Sequence, residues 1–177
     1  GTSTWNQVGP VIVGEDDNNQ TGMSVSLSSD GSIVAVGGRY IYINGNRGAV
    51  RIYEFLSSSG WTKLGEDIVG EDEEDFAGAT DSGQSVSLSA DGSIVAIGAV
   101  GNDDNGNNSG HVRVYQYNSN KIDPVTDQDS SDFGPVGWTR LGQDIDGIND
   151  TNYSGNYSKS GFSVSLSADG FTVAIGG

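Results

Sequence analysis

The chain contains no cysteine, one histidine, one methionine and three prolines in 177 residues. Without cysteine there is no disulfide framework, no thiol nucleophile and no cysteine-ligated zinc or iron–sulfur centre. Basic residues are also scarce, with 8 Lys and Arg against 24 Asp and Glu, for a formal net charge of −16. An acidic surface repels phosphate backbones and anionic lipid headgroups, so nucleic acid is excluded as a partner. No stretch approaches the roughly 18 to 20 consecutive apolar residues that a membrane helix needs, so membrane insertion is not expected. Sustained i, i+3, i+4, i+7 apolar spacing is missing too. The 28 glycines punctuate nearly every segment, leaving little room for helices.

What remains is a set of short β-branched runs, and they repeat. Ser24 to Gly37 reads SVSLSSDGSIVAVG; Ser85 to Gly98 reads SVSLSADGSIVAIG; Ser163 to Gly176 reads SVSLSADGFTVAIG. Gly48-Ala49-Val50-Arg51-Ile52-Tyr53 returns as Gly110-His111-Val112-Arg113-Val114-Tyr115. Gly60-Trp61-Thr62-Lys63-Leu64-Gly65-Glu66-Asp67-Ile68 returns as Gly137-Trp138-Thr139-Arg140-Leu141-Gly142-Gln143-Asp144-Ile145, with a looser copy from Trp5 to Ile12. Counted from tryptophan to tryptophan, the units are 5–60, 61–137 and 138–177, the last truncated. Residues 1–177 are expected to form a single, partial domain.

Each full unit predicts four strands. In SVSLS the apolar residues alternate with serine, the period-2 pattern of a half-buried strand. The Asp-Gly that follows is a hairpin signal, because glycine accepts the positive φ of such turns. The next strand, IVAVG or IVAIG, is apolar on both faces, as expected between packed sheets. VRIYEF or VRVYQY supplies the third strand, and the fourth begins at the tryptophan. Four antiparallel strands in a repeat of this size is the pattern of a β-propeller blade. The expected fold is therefore all-β, with about two and a half blades and a ring not closed by this chain alone. Insertions such as Asn118–Val136 fall between strands, where a repeat scaffold tolerates them.

The order G-x-S-V-S-L-S, turn, V-A-I-G-A, Asn/Asp/Gly loop, G-H-V-R-V-Y resembles FG-GAP-type repeats, the kind found in integrin α subunits. With its W-x-x-L-G-x-D-I-x-G strand it is closer still to the variant found in large secreted or surface proteins of marine microbes and algae. The resemblance implies a propeller at the cell surface or outside the cell. It also directs attention to calcium, which integrin-type repeats bind in a D-x-D-x-D-G loop. Here that place holds only Ser29-Asp30-Gly31, Ala90-Asp91-Gly92 and Ala168-Asp169-Gly170, too few oxygens for a calcium cage.

Two other loops concentrate oxygen ligands. The first is Asn102, Asp103, Asp104, Asn105 and Asn107, the candidate calcium site; the second is Glu71–Asp75, where like charges repel. Five Asn-x-Ser/Thr sequons, at Asn19, Asn107, Asn149, Asn152 and Asn156, are candidate glycosylation sites on loops. No catalytic residues are identified: His111 is the sole histidine, its counterpart in the first unit is Ala49, and no G-x-S-x-G elbow occurs. The tryptophans recur at a fixed place in each unit, which argues for blade packing over carbohydrate stacking. Arg51, Arg113, Lys63 and Arg140 recur likewise and are expected to pair with local carboxylates.

The sequence opens with a lone fourth-strand segment, Trp5–Val13, and closes after the second strand of the third unit. Open strand edges recruit other chains, so the expected partners are neighbouring subunits or the rest of a longer chain, besides a surface protein or glycan. The expected function is a non-enzymatic extracellular or cell-surface propeller module for adhesion or scaffolding. A subunit of a secreted fibre built by strand completion is one alternative, and a carbohydrate-active or ligand-binding receptor propeller another.

Overall fold

The computed structural model describes residues 4–14, 20–43, 46–70, 82–106, 108–148 and 158–177. Among these there is no helix, and every strand pairing within the sheets is antiparallel. The first sheet comprises β1 (Ser24–Leu27), β2 (Ile33–Ile43), β3 (Asn46–Leu56), β4 (Gly60–Lys63) and β5 (Ile68–Val69). The second comprises β6 (Ser82–Leu88), β7 (Ile94–Ala99), β8 (His111–Tyr117), β9 (Trp138–Arg140) and β10 (Ile145–Asp146). The third holds β11 (Ser163–Leu166) and β12 (Val173–Gly176). Strand order follows the chain, β1-β2-β3-β4 and β6-β7-β8-β9, as in the meander of a propeller blade. None of the sheets closes into a ring.

The Asp-Gly turns form as the sequence requires. Gly31, Gly92 and Gly170 adopt φ of +73°, +72° and +75°, a left-handed conformation that costs glycine little. Each turn is fastened by its aspartate. Asp30 Oδ1 accepts from Ser28 Oγ (2.7 Å), Ser32 N (2.9 Å) and Ser32 Oγ (2.8 Å). Asp91 repeats this arrangement, and Asp169 keeps two of its bonds, from Ser167 Oγ and Phe171 N. The Ser32 N–H, then the two hydroxyls, hold the Asp30 carboxyl down to about 2. These aspartates close turns on their own serines.

The fourth strand is broken in both complete blades. Its halves, β4 and β5 or β9 and β10, both pair with the third strand, β3 or β8. Between them lie Gly65 and Gly142, at φ +74° and +75°, followed two residues later by Asp67 and Asp144. The expected strand at Trp5–Val13 is absent: none of these residues belongs to a strand. A strand needs a ladder partner, and this segment instead lies beside the first blade, where Val8 O accepts from Trp61 Nε1 at 3.1 Å.

Blades pack face to face. β6 lies between β1 and β2 on one side and β11 on the other. The core is one cluster shared by the first two sheets: Ala35, Val50, Ile52 and Ile68 from the first, with Val86, Leu88, Val95, Ile97, Tyr115 and Trp138 from the second. Each large member contributes about 1.5–3 kcal/mol by leaving water. Glycine is required where the sheets come closest. A Cβ on Gly98 would lie 2.0 Å from Gly161 O, and one on Gly37 would lie 2.3 Å from Gly83 O.

Candidate functional site: a buried ion-pair hub under the acidic loop of the second blade

The break in the fourth strand aims Asp144 at the third strand, where Arg113 stands. Arg113 Nε donates to Asp144 Oδ1 at 2.8 Å and its Nη2 to Oδ2 at 2.5 Å. Arg140 Nη1 donates to Oδ1 at 2.9 Å. Both arginine side chains are about 95% buried. Burial pushes the Asp144 carboxyl up, but the bonds and charge of Arg113, with the charges of His111 and Arg140, outweigh it and hold it below the usual carboxylate range. The first blade repeats the hub more simply, with Arg51 Nε donating to Asp67 Oδ2 at 2.9 Å and Lys63 bonded to the same carboxylate. The recurrent cations are thus paired as expected.

The insertion at Asn118–Val136 completes the second hub. Val125 and Gly134 bridge, folding the insertion back on itself. Phe133 then lies 5.5 Å from the Arg113 guanidinium and 4.8 Å from that of Arg140. Gln128 Oε1 accepts from Arg113 Nη2 at 2.9 Å, and Gln128 O accepts from Arg140. By its place between strands this stretch reads as a surface insertion. Its signal was a lone Phe in a polar insertion facing two arginines, legible only once the blade register is known.

His111 sits one position along the sheet, opposite Ala99 and Asp146, and is 4% exposed. Its Nδ1 is buried without a hydrogen-bond partner. Burial, then the charge of Arg113, pull its pKa down from 6.5 to about 4. Between these values the unfolded chain binds a proton that the folded chain refuses. Stability is therefore full above about pH 6.5 and falls as pH drops toward 4, by roughly 3 kcal/mol in all. Urea unfolding at pH 7, 5.5 and 4.5 should show this decline, and His111→Leu should flatten it. Asp144, whose pKa lies below the usual 3.8, adds its own loss only under more acid conditions.

Above the histidine lies the acidic loop. Asn102 is buried at 1% exposure, its Oδ1 accepting from Asp104 N (3.1 Å) and its Nδ2 donating to Asp104 Oδ2 (3.0 Å). Asp103 Oδ1 accepts from Asn108 N, and Asn105 Nδ2 donates to Gly147 O at 2.8 Å. Most of these polar groups serve the loop's own fold. Asp104 turns toward other ligating groups: it, His111 and Asp144 bring ligand atoms within 4.8 Å of one another. An imidazole, and a carboxylate already receiving three guanidinium bonds, do not make the all-oxygen shell that calcium takes. Asn107, the remaining member of the candidate set, lies outside the described residues, as do Glu71–Asp75 and the sequon asparagines Asn19, Asn149, Asn152 and Asn156.

The tryptophans divide by position. Trp138 is fully buried, donates from Nε1 to Leu64 O at 2.9 Å and packs 5.3 Å from the Tyr117 ring. Trp61 meets Phe55 edge-on at 5.3 Å, whereas Trp5 is fully exposed.

No curated protein matches the chain. The family model for the FG-GAP repeat matches residues 73–115, which take in the second blade from β6 into β8. The S-V-S-L-S strand, the Asp-Gly turn and the strand after it recur in the blades on either side, and the match over the second blade supports an FG-GAP-like repeat protein.

Proposed function

We propose that this chain is a non-enzymatic extracellular β-propeller module for adhesion or scaffolding. One observation carries the reading: among the described residues, the polar groups that chemistry would draw on are largely spent on architecture. The sole histidine is buried, Asp144 and Asp67 are held by blade cations, and the turn aspartates are capped by serines. Two further facts support it. The repeat is one typical of surface and secreted proteins, and among the described residues no helix is long and apolar enough to cross a membrane. In mechanism, rigid blades would present acidic, insertion-bearing loops to a protein or glycan, with calcium or attached glycans at the loops as refinements.

The test is retention of fluorescent glycans and extracellular-matrix proteins on beads coated with the chain, with and without EDTA. Alongside it runs a turnover screen with glycoside, ester and peptide substrates. Saturable binding that weakens as salt screens the acidic surface, with no turnover, is expected. Turnover abolished by His111→Ala would overturn the reading.

A further inference from the structure

We propose that Asp104, His111 and Asp144 form a site for a divalent transition-metal ion of the zinc class, which staples the acidic loop of the second blade to the hub beneath it. The site concerns how one blade is held together, so it does not rest on the adhesion reading.

The place of the histidine is the first argument. His111 pairs with Asp146 across the ladder, at the register where the first blade pairs Ala49 with Val69. An apolar pair in one blade is thus an imidazole and a carboxylate in the other. Ala49 is fully buried and has no side-chain polar group to satisfy. His111 is nearly as buried, at 4% exposure, yet its Nδ1 has no hydrogen-bond partner. Buried polar groups are nearly always paired, so an imidazole nitrogen without a protein partner, in a register that accepts alanine, points to a ligand.

The second argument is what converges on the ring. Asp104, His111 and Asp144 each bring a ligand atom within 4.8 Å of the other two. They arrive from three places: His111 opens β8, Asp144 stands at the break between β9 and β10, and Asp104 belongs to the loop between β7 and β8. A tetrahedral ion with bonds of about 2.0–2.2 Å holds its ligand atoms roughly 3.4 Å apart, so the group needs to close by no more than about 1.4 Å. Asp104, exposed on its loop, can supply that movement.

Both carboxylates have acceptor capacity to spare. A carboxylate offers about four lone-pair sites. Among the described residues, Asp144 uses three of them, for Arg113 Nε and Arg140 Nη1 on Oδ1 and for Arg113 Nη2 on Oδ2. One site on Oδ2 is left. Asp104 ties its Oδ2 to Asn102 Nδ2 and keeps Oδ1 for a ligand.

Charge and donor type then select the metal. The carboxylates of Asp144, Asp104 and Asp146 act on the ring, and the Arg113 guanidinium opposes them. Arg140 offsets Asp144 further. Three acids against two bases leave little net charge, so calcium or magnesium, which need hard oxygen shells, gain little here. An imidazole nitrogen with two carboxylate oxygens suits zinc, with water in the fourth position.

The test is isothermal titration calorimetry on the untagged chain, stripped with EDTA and dialysed, against Zn²⁺, Co²⁺, Ca²⁺ and Mg²⁺ at pH 7. His111 is the sole histidine, so its ring nitrogens give one set of nitrogen-15 NMR signals that reports coordination directly. One equivalent of Zn²⁺ or Co²⁺ is expected to shift those signals and raise the thermal midpoint. Ca²⁺ and Mg²⁺ should bind more than about tenfold more weakly. Asp104→Asn and His111→Ala should each weaken Zn²⁺ more than about tenfold, since even groups behind a ligand contribute that much. His111→Ala restores the residue type of the first blade, and Asp104 is exposed, so near-ultraviolet circular dichroism should match wild type for both. If His111→Ala failed to fold, Asp104→Asn, which keeps the reporting ring, would decide alone. Asp144 is left intact because its loss disturbs the hub. Zn²⁺ bound as tightly by Asp104→Asn as by wild type would be adventitious binding to an acidic surface and would overturn the proposal. Unmoved His111 signals at saturating Zn²⁺, or Ca²⁺ binding there as tightly, would overturn it too.

Discussion

Replacing Asp144 with alanine is expected to destabilise the protein by about 3–5 kcal/mol, the penalty of leaving buried charge without its partner. Two guanidiniums, each about 95% buried, converge on this carboxylate. Phe133 and Gln128 hold them in place but carry no negative charge. Asp144→Asn should lie between, since it keeps an acceptor and loses the charge. Asp67→Ala in the first blade should cost less, because Lys63 is 36% exposed and its flexible ammonium can reach water. Urea unfolding at pH 7 checks all three. An Asp144→Ala loss no larger than that of Asp67→Ala would show that the second hub is not the tighter one.

Trp138→Ala should be comparably severe, at about 3–5 kcal/mol. The side chain has no exposed surface, belongs to the cluster shared by the first two sheets and lies against Gly65. Trp138→Phe should recover part of the loss, restoring ring packing on Tyr117 but leaving Leu64 O without its 2.9 Å bond, an omission worth about 1–3 kcal/mol. Trp5→Ala should change monomer stability by less than about 0.5 kcal/mol, because the ring is exposed. Thermal unfolding of the three variants separates these cases. Equal losses at Trp5 and Trp138 would contradict the packing described above.

Much of the blade was legible because its signals are local. Serine alternating with valine and leucine, followed by Asp-Gly, forms the β1–β2, β6–β7 and β11–β12 hairpins in the same register, with Leu27 opposite Val34, Leu88 opposite Val95 and Leu166 opposite Val173. Internal repetition then carried one hairpin's reading to the others. The recurrent Arg and Lys positions likewise pointed to carboxylates, and both pairs are present.

The second hub's lid was less legible. Gln128 and Phe133 lie in an insertion that occurs once, so no repeat comparison marks them. The strand expected at Trp5–Val13 failed for a related reason: strand propensity forms a strand only where another strand offers its ladder. The sequence marks the acidic loop as a concentration of oxygen ligands, and the structure turns Asn102 inward and caps Asn108 with Asp103, a competition between ligand and backbone that composition cannot decide.

The sequence by itself determined the all-β class, the repeat and its turn chemistry, since period-2 alternation and positive-φ glycine act over a few residues. Tertiary structure alone decided which groups are buried and which faces stay open, because exposure depends on what the neighbouring sheet covers. Val25 and Val86 have the same local sequence, and they differ in exposure, 64% against 8%, because a blade covers only the second.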